Sequence, residues 1–285
     1  MDIAFQGEFG AYSEEAVQAA FPDATPRPLP TFETVFDALT STLTSGGVDR
    51  AVVPIENTVF GSVRVNYDRL RAHPVSIIGE VNRRIHHHLL APPGASIEGL
   101  LTVRSHPQAL GQCRAWLRAN LGGAATESVT DTAGAARQVA EEHDRTVAAI
   151  ASRRAADRYG LEVLAGGIED DAANYTRFLV LAPRDADAER VGDGPLKTSI
   201  VFALRDNVPG ALFKSLAVFA LRDLDLLKIE SRPFVGQPGR YRFYLDVRGD
   251  ASQGPLRRAL QHLREISTEV RSLGTYPAAP PRREA

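Results

Sequence analysis

A single cysteine, Cys113, stands among 285 residues, so the chain has no intramolecular disulfide and no cysteine-based zinc site available to it. That scarcity suits a reducing compartment. Lysine is nearly as scarce: Lys197, Lys214 and Lys228 are the only three, and all fall in the last third. An enzyme built from the residues before Lys197 has no lysine of its own for a Schiff base, which argues against pyridoxal phosphate and lysine-aldolase chemistry there. Charge of one sign is also missing. The formal net charge is -2 and the pI about 6.4, without the basic footprint that a nucleic acid partner requires. No apolar run is long enough to span a membrane, and Met1-Asp2-Ile3-Ala4-Phe5 opens directly as a strand rather than as a basic, then apolar, leader. The expectation is a soluble, cytoplasmic protein with neither membrane nor nucleic acid as partner.

What is present is a globular balance, 44% hydrophobic and 24% charged, with room for one large or two ordinary domains. The strand Ile3 to Phe5 runs into Gly7-Glu8-Phe9-Gly10, then a helix with Ala16, Val17, Ala20 and Phe21 at helical spacing. A second helix starts near Thr31, with Val35, Leu39 and Leu43 on one face, and Val48 to Ile55 returns as a buried strand. Further strands are predicted at 75–81, 86–90, 99–103, 125–128, 147–150 and 177–181, and helices at 108–120, 132–143 and 152–159. This alternation predicts an α/β class with mainly parallel sheets. From Pro183 to Pro195 the chain is charged and nearly free of large apolar residues, as a linker is. The order beyond it is strand, helix, strand, strand, helix, strand: a ferredoxin-like βαββαβ unit. The expected domains are 1–182, a linker at 183–196, a second domain at 197–277 and a flexible tail at 278–285.

Polar side chains collect where apolar strands end, which is where open α/β sheets build ligand sites. The segments are Glu56-Asn57-Thr58, Ser105-His106-Pro107-Gln108 with Gln112, Thr130-Asp131-Thr132, and Asn174-Tyr175-Thr176-Arg177-Phe178. Such neutral groups orient polar substrates and stabilise leaving oxygens, and they equally serve as caps and turns. His86-His87-His88 has the look of a metal site. On a strand, however, His86 and His88 share one face and His87 the other, so only two could reach one ion, and no metal is expected. Gly7 and Gly10 lack dinucleotide-binding spacing.

Gly7-x-x-Gly10-x-Tyr12-Ser13, Pro54-Ile55-Glu56-Asn57-Thr58-x-x-Gly61-Ser62-Val63, Ser105-His106-Pro107-Gln108 and Asn174-x-Thr176-Arg177-Phe178 occur in the order and context of prephenate dehydratases. Pro209-Gly210-Ala211-Leu212 and Glu230-Ser231-Arg232-Pro233 follow, matching that family's C-terminal ACT domain. The chain resembles the family from about residue 2 to residue 277.

The resemblance implies a two-lobed α/β catalytic domain, similar to type II periplasmic binding proteins, with its site in the cleft and a ferredoxin-like ACT domain behind it. It implies decarboxylative dehydration of prephenate to phenylpyruvate without metal or organic cofactor. Thr176, the motif threonine, is expected to donate to the leaving oxygen, with Asn57 from one lobe and Ser105, Gln112 and Thr176 on the opposing side. Glu56, Thr58, Tyr12, Ser13 and Phe178 are expected beside the substrate. Glu56 could be a base or a brace, and Arg177 a carboxylate anchor or a structural ion pair. His87 falls where the family often carries histidine and is expected to face the cleft in a structural role.

Pro209 opens a helix and Gly210 permits close backbone approach, a helix start suited to a carboxylate. With the resemblance, Asn207, Pro209, Gly210, Ala211, Leu212, Glu230, Ser231 and Arg232 are expected to bind L-phenylalanine as effector between paired ACT domains, in a homodimer or homotetramer. Asp223, Asp225 and Leu227 depart from the family's usual Gly, Asn and Thr. No helical segment precedes Asp2, so a monofunctional enzyme is expected. Two other readings are arogenate dehydratase, which acts on the amino-acid analogue, and a non-catalytic amino-acid sensor.

Overall fold

The computed structural model describes residues 1–41, 47–184, 186–205, 208–234 and 236–280. Leu43 and Asn207, both singled out above, lie outside the described residues.

In chain order the elements begin with β1 (Asp2–Gln6), α1 (Tyr12–Ala20), β2 (Thr25–Leu29), α2 (Phe32–Thr40), β3 (Arg50–Asn57), β4 (Gly61–Ser62), α3 (Arg64–Ala72) and β5 (Val75–Arg84). There follow β6 (His88–Ala91), β7 (Thr102–Ser105), α4 (Pro107–Gln112), α5 (Arg114–Asn120), β8 (Ala125–Ser128), α6 (Thr132–Glu142), β9 (Val147–Ala151), α7 (Arg153–Tyr159), β10 (Glu162–Gly166) and β11 (Tyr175–Pro183). The chain ends with β12 (Leu196–Leu204), α8 (Ala211–Ala220), β13 (Leu226–Phe234), β14 (Gln237–Arg248), α9 (Gly254–Ile266) and β15 (Ser267–Pro277).

Contacts divide the chain into two compact units, and the cut runs through β5 and β11. The first unit holds residues 1–69 and 81–179 and carries two sheets. One runs β2-β1-β3-β11-β5, with β4 beside β3, and the other β10-β6-β9-β7-β8. Pairing within each is mixed: β1 is parallel to β2 and β3, and β7 to β8 and β9, whereas β4, β6 and β10 pair antiparallel. The mainly parallel expectation therefore holds for β2-β1-β3 in the first sheet and β9-β7-β8 in the second, and not for the pairings of β4, β6 and β10.

Ile3, Phe5, Val17, Phe36 and Val52 are fully buried where α1 and α2 pack on β1 and β3. Thr31 caps α2 in a reciprocal box with Thr34. The second sheet is covered on both faces: α4 and α5 bring Ala109, Cys113 and Leu117 to one, and α6 and α7 bring Ala135, Val139 and Ala156 to the other. The single helix expected over 108–120 is two. Asp170 accepts from the amides of Ala115 and Trp116 at 3.0–3.2 Å, capping α5, and the chain bends at Cys113. The strand expected at 86–90 begins only at His88, which leaves His86 and His87 in the crossing from one sheet to the other.

The second unit holds residues 70–80 and 180–280 as far as they are described. Its sheet runs β13-β14-β12-β15 with antiparallel pairing, the 2-3-1-4 order of a ferredoxin-like βαββαβ unit. Ile200, Phe202, Phe219, Leu245, Leu260 and Leu263 form its core under α8 and α9. The segment read as a linker packs within this unit, the amide of Val191 donating to Ile78 O at 2.8 Å. Residues 278–280 of the expected tail are also seated, Ala278 N on Pro195 O at 3.0 Å and Ala279 N on Glu80 Oε1 at 2.8 Å.

Candidate active site

Within the first unit a cavity of about 730 Å³ opens where the two sheets face each other. Ala11, Tyr12 and Ser13 at the start of α1, Thr31 and Phe32 at the start of α2, Arg64 and Val65 at the start of α3, and Thr130, Asp131 and Thr132 at the start of α6 all line it. Each helix start brings the positive end of its backbone dipole to the cavity, which favours an anion, while at α2 and α6 a first-turn amide is already held by Thr31 Oγ1 and by the Asp131 carboxylate. Arg64 and Arg69 add positive charge to the wall, Arg69 sharing its guanidinium with Glu33 at 3.4 Å.

At the floor lies a chain of hydrogen bonds whose polarity can be derived. Asn57 Oδ1 accepts the amides of Val59 and Phe60 at 2.9 and 3.0 Å, which fixes the orientation of its side chain. Its Nδ2 must then donate, and it does so to Asn174 Oδ1 at 2.8 Å, Thr176 Oγ1 at 3.0 Å and Tyr175 O at 3.2 Å. Thr176 is thus held as an acceptor, and among the described residues its own O–H is not spent on a protein group. That proton is left for the cavity.

Gln112, at the end of α4, reaches the same cluster from the second sheet's side, with Nε2 at 3.3 Å from Asn174 Oδ1 and 3.5 Å from Asn57 Oδ1. Its Oε1 lies 2.6 Å from His87 Nε2, and His87 Nδ1 lies 2.9 Å from Tyr12 Oη. His87 is buried, and desolvation lowers its pKa although the bond to Gln112 works the other way. Burial likewise pushes the Tyr12 phenol well above its ordinary value and lowers His106. Cys113, also buried, is pushed up by desolvation and is no nucleophile.

Of the residues expected at the site, the cavity is lined by Thr176, Asn57, Gln112, Tyr12, Ser13 and Phe178. Ser105, Glu56, Thr58 and Arg177 are not among its lining. Ser105 is fully buried and donates to Ile150 O at 2.6 Å, so its hydroxyl braces β9. Arg177 alternates with Thr176 and Phe178 along β11, turns away from the cavity and meets Glu56 at 3.9 Å. Thr58 donates to Ala173 O at 2.7 Å and accepts the amide of Tyr175 at 2.9 Å, clipping β3 to the start of β11. Thr176 and Asn57 stand on neighbouring strands of one sheet, so the expectation that they oppose each other is corrected.

Arg64 and Ser62 were not expected among the lining; Gln108, within a strand-end segment singled out above, does line it, and Asn174 of another such segment proves central to the hydrogen-bond cluster. No apolar period marks α3, so nothing in the sequence pointed to Arg64. His86, which leaves the strand alternation, pairs with Glu169 at 3.3 Å, and no group of three or more metal-type ligands occurs among the described residues.

In the second unit Gly210 precedes α8 with φ +82°. Glu230, Ser231 and Arg232 lie on β13, at the edge of the four-stranded sheet.

The family model for prephenate dehydratase matches residues 3–186. The Arabidopsis thaliana protein named arogenate dehydratase/prephenate dehydratase 2, chloroplastic, is 46% identical over 96% of this chain and 72% of its own length. A solved prephenate dehydratase from Arthrobacter aurescens in complex with L-Phe is 33% identical with TM-score 0.87, covering 97% of this chain and 90% of that one. A structure described as GqqA, a novel type of quorum quenching acylase, is 34% identical with TM-score 0.87 over 99% of this chain and 100% of that one. The cytoplasmic location expected from composition and the strand-like N-terminus is corrected, since this Arabidopsis relative and others of that species are named chloroplastic. No helix among the described residues is long and apolar enough to cross a membrane. Residues of four motifs line one cavity, and a matched family model with relatives at this identity places the chain in the prephenate dehydratase family, enzymes that are lyases acting by dehydration.

Proposed function

We propose that the protein converts prephenate to phenylpyruvate, and that L-phenylalanine regulates it through the C-terminal unit. The ring carboxylate leaves as carbon dioxide, its bonding pair enters the ring, and the C–O bond opposite breaks toward hydroxide as the ring becomes aromatic. No electron is exchanged with a second reactant, so the protein's task is to hold a dianion and stabilise the departing oxygen. The helix starts, Arg64 and Arg69 receive the carboxylates. Thr176 is the donor to the leaving oxygen, and the observation that carries this role is the bond from Asn57 Nδ2, which makes Thr176 Oγ1 an acceptor and leaves its O–H for substrate. A threonine hydroxyl is too weak an acid to be the proton source by itself; it stabilises charge. Tyr12, Ser13, Gln112 and Phe178 shape and orient, while Arg177, Glu56 and Thr58 brace the strands that carry Thr176 and Asn57.

A second reading is favoured by the names of the relatives: arogenate, the amino-acid analogue, as substrate. Both substrates offer the same leaving groups to the same donor. The lobed α/β architecture, with the chain crossing between its sheets near 84–88 and 166–175, supports the likeness to type II periplasmic binding proteins. The 2-3-1-4 sheet with a glycine-led α8 supports the ACT assignment. Exposed Phe213, Leu227 and Ile229 support pairing of such domains between two copies, with effector held near Gly210, Glu230 and Arg232.

The test incubates the protein with prephenate and with arogenate, with and without L-phenylalanine, for the parent and Gly210→Val. Phenylpyruvate from prephenate, inhibited in the parent and not in the variant, supports the reading. Turnover of arogenate alone moves the assignment to the second reading, and equal inhibition of both proteins defeats the C-terminal effector site.

A further inference from the structure

His87 is 1% exposed and joins two groups of the cavity wall: Tyr12 Oη at 2.9 Å from Nδ1 and Gln112 Oε1 at 2.6 Å from Nε2. An amide oxygen can only accept, so the bond to Gln112 requires a proton on Nε2. Tyr12 Oη also lies 2.7 Å from His86 O. A carbonyl can only accept, so the single phenol proton is held by His86 O, and the proton on Nε2 follows from Gln112 Oε1 alone.

The consequence runs beyond His87. With Oε1 of Gln112 held by that N–H, Nε2 of Gln112 faces Asn174 Oδ1 and Asn57 Oδ1, both acceptors. Were the ring proton on Nδ1 instead, Gln112 would have to turn its NH2 toward His87. Its oxygen would then face the oxygens of Asn174 and Asn57 with no proton between it and either of them. We propose that His87 is a positioning residue for the dehydration: its Nε2–H holds Gln112 with Nε2 toward Asn174 Oδ1 and Asn57 Oδ1, and so steadies the cluster, oriented by the Val59 and Phe60 amides, in which Asn57 presents the Thr176 hydroxyl to substrate. The proposal rests on the assignment of Thr176 as donor to the leaving oxygen.

Two variants separate positioning from packing. In His87→Gln the side-chain nitrogen reaches the place of Nε2, whereas in His87→Asn it reaches only the place of Nδ1; both remove the ring. His87→Asn is expected to lower kcat about tenfold with KM little changed, the order of one lost hydrogen bond in the transition state, and His87→Gln to recover most of it. Combined with Gln112→Ala, His87→Asn should cost little more than Gln112→Ala alone, because the first acts through the second. Equal kcat in the Gln and Asn variants, or losses that multiply, would overturn the proposal. The parent protein gives an independent reading: 15N NMR of labelled histidine is expected to find Nε2 protonated in the buried ring, and a neutral Nδ1–H tautomer would refute it without any substitution. If Thr176→Val keeps its kcat while the His87 series behaves as described, the donor assignment fails and the orientation of Gln112 by His87 stands.

Discussion

Thr176→Val removes one hydroxyl and keeps the shape of the side chain, so its effect on folding and on turnover can be forecast separately. For folding, the lost partner is Asn57 Nδ2, which keeps its bonds to Asn174 Oδ1 at 2.8 Å and Tyr175 O at 3.2 Å. No donor is stranded, and the cost is about 1 kcal/mol or less. For turnover, the proposed role makes the lost group a donor aimed at charge that develops only as the C–O bond opens. One such donor in a water-poor site is worth about 3 kcal/mol, which is roughly a hundredfold in kcat. KM should move much less, since the helix starts and arginines proposed to receive the carboxylates are left in place. The assay is initial-rate formation of phenylpyruvate, paired with urea unfolding of the same preparation. A folded variant with kcat within about threefold of the parent would refute the assignment of Thr176.

Three more outcomes follow from other parts of the molecule. Lys197 Nζ sits 2.6 Å from Glu80 Oε2 and 3.8 Å from Asp246 Oδ2, all three side chains buried, so Lys197→Met removes the cation that two buried carboxylates share and should cost about 3–5 kcal/mol in urea unfolding; a loss under about 1 kcal/mol would show that this cation is not needed. Asp223 takes φ +54°, a left-handed backbone that glycine adopts freely, so Asp223→Gly should raise stability by about 1 kcal/mol, and a lower urea midpoint would contradict the strain. Burial lowers the pKa values of His87, His88 and His106 from 6.5, so the unfolded chain takes up their protons first as pH falls. Their contribution is full above that value and declines below it, and the urea midpoint should drop between about pH 7 and pH 5.5; a midpoint that rises over that interval would reverse the sign.

Much of the fold was legible in local pattern. β1, the glycine turn and α1 follow from a short apolar run and a 3.6-residue spacing, and the C-terminal unit's six elements appear in the order that the periods imply. The elements that escaped have stated causes. Pro26 and Pro28 disguise β2; alternate residues on an edge strand turn their missing N–H toward solvent, so the strand tolerates them. α3 is rich in arginine and buries only Asn66, Tyr67 and Leu70, too few to show a stripe. The break at Cys113 is imposed by Asp170, more than fifty residues away in sequence, which no local window contains.

The site was legible as a set of segments but not as a set of roles, and strand alternation explains the difference. In Asn174-Tyr175-Thr176-Arg177-Phe178 every polar residue is a candidate until a face is assigned. On β11, Thr176 and Phe178 then share the cavity side and Arg177 takes the other, where Glu56 meets it. β3 repeats the division, with Asn57 lining the cavity and Glu56 turned from it, so the two motifs meet twice: once as Asn57 with Thr176 and once as Glu56 with Arg177. One contact sets a hydroxyl's polarity for chemistry, and the other ties together the strands on which that geometry depends. Adjacent positions in one motif can thus be held by different physical demands. Ser105 carries the same lesson, since a hydroxyl at the end of a strand is indistinguishable in sequence from a ligand until its acceptor, the carbonyl of Ile150, is in view.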